Sequence, residues 1–178
     1  MIDRRAFIGR VGLVCGVAAP IWASGAPAAT ANDRSVSFVH THTGEKLTAV
    51  YWRDGDYQPQ VLQQVNHLLR DFRTNEIHVI DPPLLDLLFE LRSKVGSEHA
   101  FHVISAYRSP KTNAMLRQSS DGVAEHSMHM LGKAIDVRLE SFPTDQLAEV
   151  ARSLRRGGVG YYRASDFVHV DTGRVRYW

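Results

Sequence analysis

The sequence predicts an α+β fold, a small and mainly antiparallel sheet packed against helices. Three observations carry this. Short alternating segments are interleaved with segments of helical spacing, and the first two alternating segments read as a hairpin. The 178 residues are room for one domain. Their balance, 44% apolar and 22% charged, is that of a globular chain rather than a disordered one.

The elements follow in order. Ser35 to His42 alternates around Val36 and Phe38 and reads as a strand. Thr43-Gly44 is a turn signal, and Lys46 to Trp52 reads as the returning strand before Asp54-Gly55-Asp56 breaks the pattern. Gln58 to Phe72 places Val61, Val65, Leu68 and Leu69 on one helical face. Pro82-Pro83 opens a second helix that runs to about Val95, with Gly96 as its stop. Phe101 to Ala106 reads as a short strand, and Ser109-Pro110 opens a short helix to about Arg117. Ser119 to Gly132 reads as a polar loop and Lys133 to Leu139 as a strand. Pro143 to Arg155 reads as a helix closed by Gly157-Gly158, followed by strands at Val159–Tyr162 and Phe167–Asp171. Tyr51, Trp52, Tyr161, Tyr162 and Trp178 read as strand packing in preference to a substrate groove.

Composition removes several function classes. A single cysteine, Cys15, excludes a disulfide framework, Cys-rich zinc sites and iron–sulfur clusters. A net charge of +2 without a basic block gives no sign of nucleic-acid binding. The first residues read as an address. Arg4-Arg5 followed by Phe7-Ile8, a modestly apolar run from Val11 to Trp22 and small residues from Ala23 to Ala31 form the layout of an export signal. The paired arginines resemble the twin-arginine type, which implies passage through the twin-arginine translocation machinery. Ala29-Thr30-Ala31 fits a cleavage site, so residues 1–31 are expected to be removed and 32–178 to form the periplasmic domain. That removal takes away Cys15, Arg4, Arg5, Arg10 and Asp3, and it leaves equal numbers of basic and acidic residues.

The chemistry concentrates in two strands and one strand exit. In Lys133–Leu139, Ile135 and Val137 face the core, so Ala134, Asp136 and Arg138 share the other face. Gly132 permits a tight turn that folds His129 back towards Asp136. In Phe167-Val-His-Val-Asp171 one face is apolar and the other offers His169 and Asp171. If the strands are neighbours, His129, Asp136 and His169 converge, and two imidazoles with one carboxylate suit a catalytic zinc with an open fourth position. Arg108, at the end of the Phe101–Ala106 strand, is placed to bind a carboxylate or to stabilise an oxyanion.

These segments together resemble a known superfamily. Ser-x-His-x-x-Gly-x-Ala-x-Asp, present as Ser127 to Asp136, is similar to the zinc motif of the D-Ala-D-Ala carboxypeptidase and L-Ala-D-Glu peptidase superfamily. Ser-x-Tyr-Arg-Ser-Pro, present as Ser105 to Pro110, resembles its arginine motif, and the late His-Val-Asp resembles the third-ligand segment. The murein endopeptidase K group is the most similar, with an ending like Phe167 to Trp178. The resemblance implies the small α+β fold shared with the hedgehog amino-terminal domain. It implies Zn2+ held by His129, Asp136 and His169, with Arg108 near the substrate carbonyl, in an enzyme cleaving peptidoglycan stem-peptide crosslinks. It leans towards L,D (3–3) over D,D (4–3) crosslinks.

One departure concerns the general base. Many members carry Glu three residues before the last zinc His, where this chain has Asp166. Asp166, Asp171 and His126 therefore stand as candidate bases, and Asp171 also stands as an alternative to His169 as ligand. Two other functions stay open: a carboxypeptidase trimming stem peptides, and a non-catalytic peptidoglycan-binding module with structural zinc.

Overall fold

The computed structural model describes residues 32–119 and 122–178. The expected export signal and its cleavage site lie outside the described residues. The strands are β1 (Arg34–His40), β2 (Lys46–Arg53), β3 (Asp56–Tyr57), β4 (Phe101–Ser105), β5 (Ala134–Leu139), β6 (Gly158–Tyr162), β7 (Phe167–Asp171) and β8 (Arg176–Tyr177). The helices are α1 (Pro59–Leu68), α2 (Pro82–Val95), α3 (Pro110–Ser119) and α4 (Thr144–Leu154). All eight strands form one sheet in the order β3-β2-β1-β4-β5-β7-β6-β8. The β1/β4 and β6/β8 pairs are parallel and the other neighbours antiparallel. The fold is therefore α+β with a mainly antiparallel sheet, as the alternation predicts.

Helix α2 packs on β1 and α4, α4 on β5, β6 and β7, and α1 on β2. The core between them is centred on Phe38, Tyr51, Leu84, Leu85, Leu88, Leu91, Phe101, Ile135 and Leu147, each at most 1% exposed. Alternation gives the central strands two distinct faces. Ile135 and Val137 of β5 and Val168 and Val170 of β7 enter this core. Asp136 and His169 point the other way and are register partners across the β5/β7 ladder. No helix among the described residues is long and apolar enough to cross a membrane.

Three expectations are corrected and two short strands are added. Helix α1 ends at Leu68, short of Phe72. The Leu69 carbonyl is taken by the Tyr107 N–H, and the Asp71 carbonyl folds the chain into a turn by accepting from the Thr74 and Asn75 N–H groups. The Gly157-Gly158 pair does not close α4. Arg155, at φ 54°, takes the left-handed position that ends that helix. The glycines serve close approach instead, since a Cβ at Gly157 would overlap the Asp171 carbonyl and one at Gly158 the Asp171 carboxylate. The polar loop before β5 contains a 3-10 turn, Met128–Leu131. Finally, β3 and β8 are two-residue strands too short to leave an alternation signal.

Candidate metal centre and substrate cleft

Each functional side chain is set by local backbone chemistry. Ser127 caps the 3-10 turn, its hydroxyl accepting from the His129 N–H at 3.4 Å. Gly132 closes the turn in the left-handed region at φ 64°, where a Cβ would overlap the Val79 carbonyl. The His129 carbonyl accepts from the Arg108 N–H at 3.2 Å. The His129 Nδ1–H donates to the Ala106 carbonyl at 2.6 Å. The turn carrying His129 is thus stitched to the exit of β4, which carries Arg108.

Fixing Nδ1 as the donor leaves the lone pair of His129 Nε2 facing inward. On β7, His169 Nε2 lies 3.0 Å from Asp171 Oδ2 and donates to it, which turns His169 Nδ1 inward as well. His129 Nε2, His169 Nδ1 and Asp136 Oδ1 then form a triangle with edges of 3.1, 2.9 and 3.3 Å. All three residues are buried. Three acceptor atoms at such separations need a proton or a cation between them. Ligand atoms about 2.0–2.1 Å from a tetrahedral zinc lie about 3.3 Å apart, so the triangle fits such an ion. His129, Asp136 and His169 are the group among the described residues able to hold a metal, their ligand atoms all within 4.8 Å of one another.

The electrostatics agree with the geometry. Burial pushes the Asp136 carboxyl up, but His129 and His169 outweigh it and hold the carboxyl well below the usual range. Burial lowers His129. Burial also works against a charged His169, yet hydrogen bonds to Asp136 and Asp171 raise it to about 8. In the metal-free protein His169 is therefore the group whose proton a metal must displace. Metal affinity is expected to rise about tenfold per pH unit up to about pH 8 and to flatten above it. Competition titrations with a chromophoric chelator between pH 6 and 9 measure this, and a flat profile would reject the His169 assignment.

The triangle lies in a cleft of about 490 Å³ lined by Arg108, His126, Ser127, Tyr162, Arg176 and Trp178, among others. Arg108 is largely but not fully buried, its side chain 11% exposed, and it places Nη2 3.7 Å from Asp136 Oδ2. Its Nε is buried without a hydrogen-bond partner among the described residues, so it retains a donor. His126 is exposed on the cleft wall.

The other candidate bases lie elsewhere. Asp171 is fully buried behind His169, where its Oδ1 accepts from the N–H groups of Gly158 and Gly173 and its two oxygens bind Arg176 at 3.1 and 2.7 Å. It stands within hydrogen-bond reach of His169 and does not line the cleft. Asp166 is the left-handed residue ending a 3-10 turn, at φ 51°, and does not line the cleft. It lies beside Arg138 in a separate hollow.

Sequence reading missed Asp71, which supports Arg108 from below. Its Oδ2 accepts from the Ser109 N–H at 2.9 Å and the Ser109 hydroxyl at 2.7 Å. No motif marks this residue, because its partner is 38 positions away. Two aromatics read as packing also prove to be cleft wall. The Trp178 ring centroid sits 5.2 Å from that of His169, its Nε1–H donates to the Tyr162 hydroxyl at 3.0 Å, and Gly160 leaves room for the indole.

Comparison with known proteins decides the family. The family model described as peptidoglycan L,D-endopeptidase MepK matches residues 28–178. The chain belongs to the MepK family. It is 43% identical to the probable peptidoglycan L,D-endopeptidase MepK of Haemophilus influenzae over 150 residues, which is 84% of this chain and 81% of that protein. It is 38% identical to the peptidoglycan L,D-endopeptidase MepK of Escherichia coli K12 over 176 residues, 99% of this chain and 97% of that protein. No solved structure gives a significant match. The MepK family thus joins a buried His-Asp-His group to an arginine-flanked cleft in this chain.

Proposed function

We propose that this protein is a zinc-dependent L,D-endopeptidase that hydrolyses 3–3 crosslinks between peptidoglycan stem peptides. The observation that carries this is the inward-facing triangle of His129, Asp136 and His169 beside Arg108, in a member of the MepK family. Zinc held by those three residues would supply an acidic water at neutral pH and polarise the scissile carbonyl.

The chain's own residues do the rest. Asp171 and the Ala106 carbonyl hold the two imidazoles in the ligating tautomer. Arg108 donates to the carbonyl oxygen as it gains negative charge, drawing on a guanidinium already desolvated beside Asp136. His126, which shares the cleft, takes the proton of the attacking water and returns it to the leaving amine. The amide C–N bond breaks, leaving a carboxylate on the donor stem and a free amine on the acceptor. Residues 1–31 act as a twin-arginine export signal cleaved near Ala31, and the enzyme works in the periplasm.

Purified protein with zinc, and the same protein with chelator, would be incubated with 3–3 and 4–3 crosslinked dimers and the products read by mass spectrometry. Zinc-dependent conversion of the 3–3 dimer to monomers is expected. Loss of a terminal D-Ala alone would identify a carboxypeptidase. Zinc-loaded protein that pellets with sacculi and releases no fragment would identify a binding module.

A further inference from the structure

The structure carries a second hollow next to the cleft, of about 480 Å³, lined by His102, Arg138, Glu140 and Asp166 among others. Neighbouring residues of β5 and of the start of β7 line one or the other hollow. On β5, Asp136 lines the cleft and Arg138 the second hollow. These residues are two apart on one face, so their Cα atoms lie about 6.4–6.8 Å apart. At the start of β7, Phe167 lines the cleft and Asp166 the hollow.

Arg138 and Asp166 form an open pair. Arg138 Nη1 and Asp166 Oδ2 are 3.7 Å apart, an ion-pair separation too long for a hydrogen bond, and the side chains are 41% and 62% exposed. Arg138 Nε is buried without a partner among the described residues, so the donors that face the hollow are those of its Nη atoms. Across the ladder, His102 is the register partner of Arg138, with its Nε2 4.0 Å from Glu140. The hollow therefore presents one cation with donors to spare and one anion with lone pairs to spare.

Substrate chemistry supplies a matching group. In a 3–3 crosslink the acyl donor is diaminopimelate, whose far end bears a free carboxylate and a free ammonium on one carbon. In a 4–3 crosslink the donor is D-Ala, which carries only a methyl group there. Six C–C bonds of about 1.5 Å separate the scissile carbonyl carbon from the far carboxylate carbon, an extended reach of about 7–8 Å. This matches the offset of Arg138 from Asp136 along β5.

We propose that Arg138 and Asp166 form the subsite that selects L,D-crosslinks, Arg138 binding the far carboxylate of the donor diaminopimelate and Asp166 its ammonium. The proposal rests on the L,D-endopeptidase reading above. Bidentate guanidinium–carboxylate recognition suits Arg138. It also gives Asp166 a role in substrate selection, outside the cleft where the proton transfer occurs.

The test uses zinc-loaded protein, its R138Q, R138K and D166N variants, and two 3–3 dimers. One dimer has a diaminopimelate donor. The other has an L-lysine donor, which keeps the ammonium and lacks the far carboxylate. R138Q should lower kcat/KM on the diaminopimelate donor by roughly ten- to a hundredfold, R138K by less, and neither should lower it on the lysine donor. D166N should lower both. Zinc content and melting temperature should stay at wild-type values, as expected for exposed side chains. Equal loss on both donors in R138Q, or no loss on the diaminopimelate donor, would overturn the subsite while leaving the endopeptidase reading intact. Wild-type protein that cleaves neither dimer would overturn both.

Discussion

His129→Ala is expected to lose bound zinc and to lower kcat/KM on 3–3 dimers by about three orders of magnitude or more. The argument is geometric. His129 supplies one corner of a triangle whose other edge, His169 Nδ1 to Asp136 Oδ1, is 2.9 Å. Two remaining ligands on neighbouring strands hold an ion far more weakly than three. The fold should survive, because Ser127, Gly132 and the Arg108 N–H hold the turn through backbone groups that the substitution leaves in place. His126→Ala gives the contrast. It should keep full zinc content and lose roughly 10²–10⁴ in kcat, the usual worth of a proton-transfer group. Metal analysis with kinetics on defined dimers separates the two variants. Hydrolysis retained by His129→Ala would remove this residue from the site.

The contrast between those two residues also shows which parts of the site the sequence made legible. A period of two is a strong local signal, and it placed Asp136 and His169 on the faces of β5 and β7 that point away from the core. The step from shared face to shared site needed only that the strands be neighbours, and their register pairs the two residues directly. Pro82-Pro83 and Gly96 bounded α2 by backbone chemistry alone, and Gly96 does adopt the left-handed conformation, at φ 65°. At Asp166, three positions before His169, a left-handed backbone angle turns the chain and the side chain lies 3.7 Å from Arg138, a placement that strand periodicity alone does not carry.

Long-range bonds were the other illegible class. Asp71 and Ser109 are far apart in sequence, and neither is unusual alone. Burial raises the cost of a charged Asp71, yet hydrogen bonds from Thr112, Ser109 and Arg73 hold its carboxyl below the ordinary value, so it is a committed anchor for the Arg108 loop. The same bonds explain why α1 stops early, since the segment after Leu69 is taken up in fastening that loop. Helical periodicity reports only the apolar face and is blind to a competing set of partners.

Asp171 combines both lessons, and its replacement carries the second large effect. Its carboxylate ties β7 to Gly158 at the start of β6, to Arg176 and to His169. Asp171→Ala leaves the half-buried Arg176 guanidinium, the His169 Nε2–H and the N–H groups of Gly158 and Gly173 without their acceptor, at a cost of about 2–4 kcal/mol in stability. Asp171→Asn is the sharper probe. Its amide oxygen can take either the Oδ2 place beside His169 and Arg176 Nη2 or the Oδ1 place beside the Gly158 and Gly173 N–H groups and Arg176 Nη1, and its NH₂ then faces donors at the other place. Zinc affinity should fall about 10–100-fold as His169 loses its fixed tautomer. Burial raises the Asp171 carboxyl, but His169, Arg176 and the two backbone N–H groups outweigh that and hold it well below the usual range. A depressed folded pKa means the charge stabilises the native state above the ordinary carboxylate pKa, and that contribution fades as the pH falls through the folded value. The raised His169 works in the opposite sense, adding stability that is full below the ordinary histidine pKa and lost as the pH rises through about 8. The stability gap between wild type and Asp171→Asn should therefore widen as the pH falls from about 8 to about 6.5, hold steady to about pH 4, and narrow only in stronger acid. Urea unfolding of the metal-free proteins across that range reads the gap, and zinc competition reads the affinity. If Asp171→Asn loses stability but binds zinc as tightly as wild type, then Asp171 braces the strands and does not orient His169.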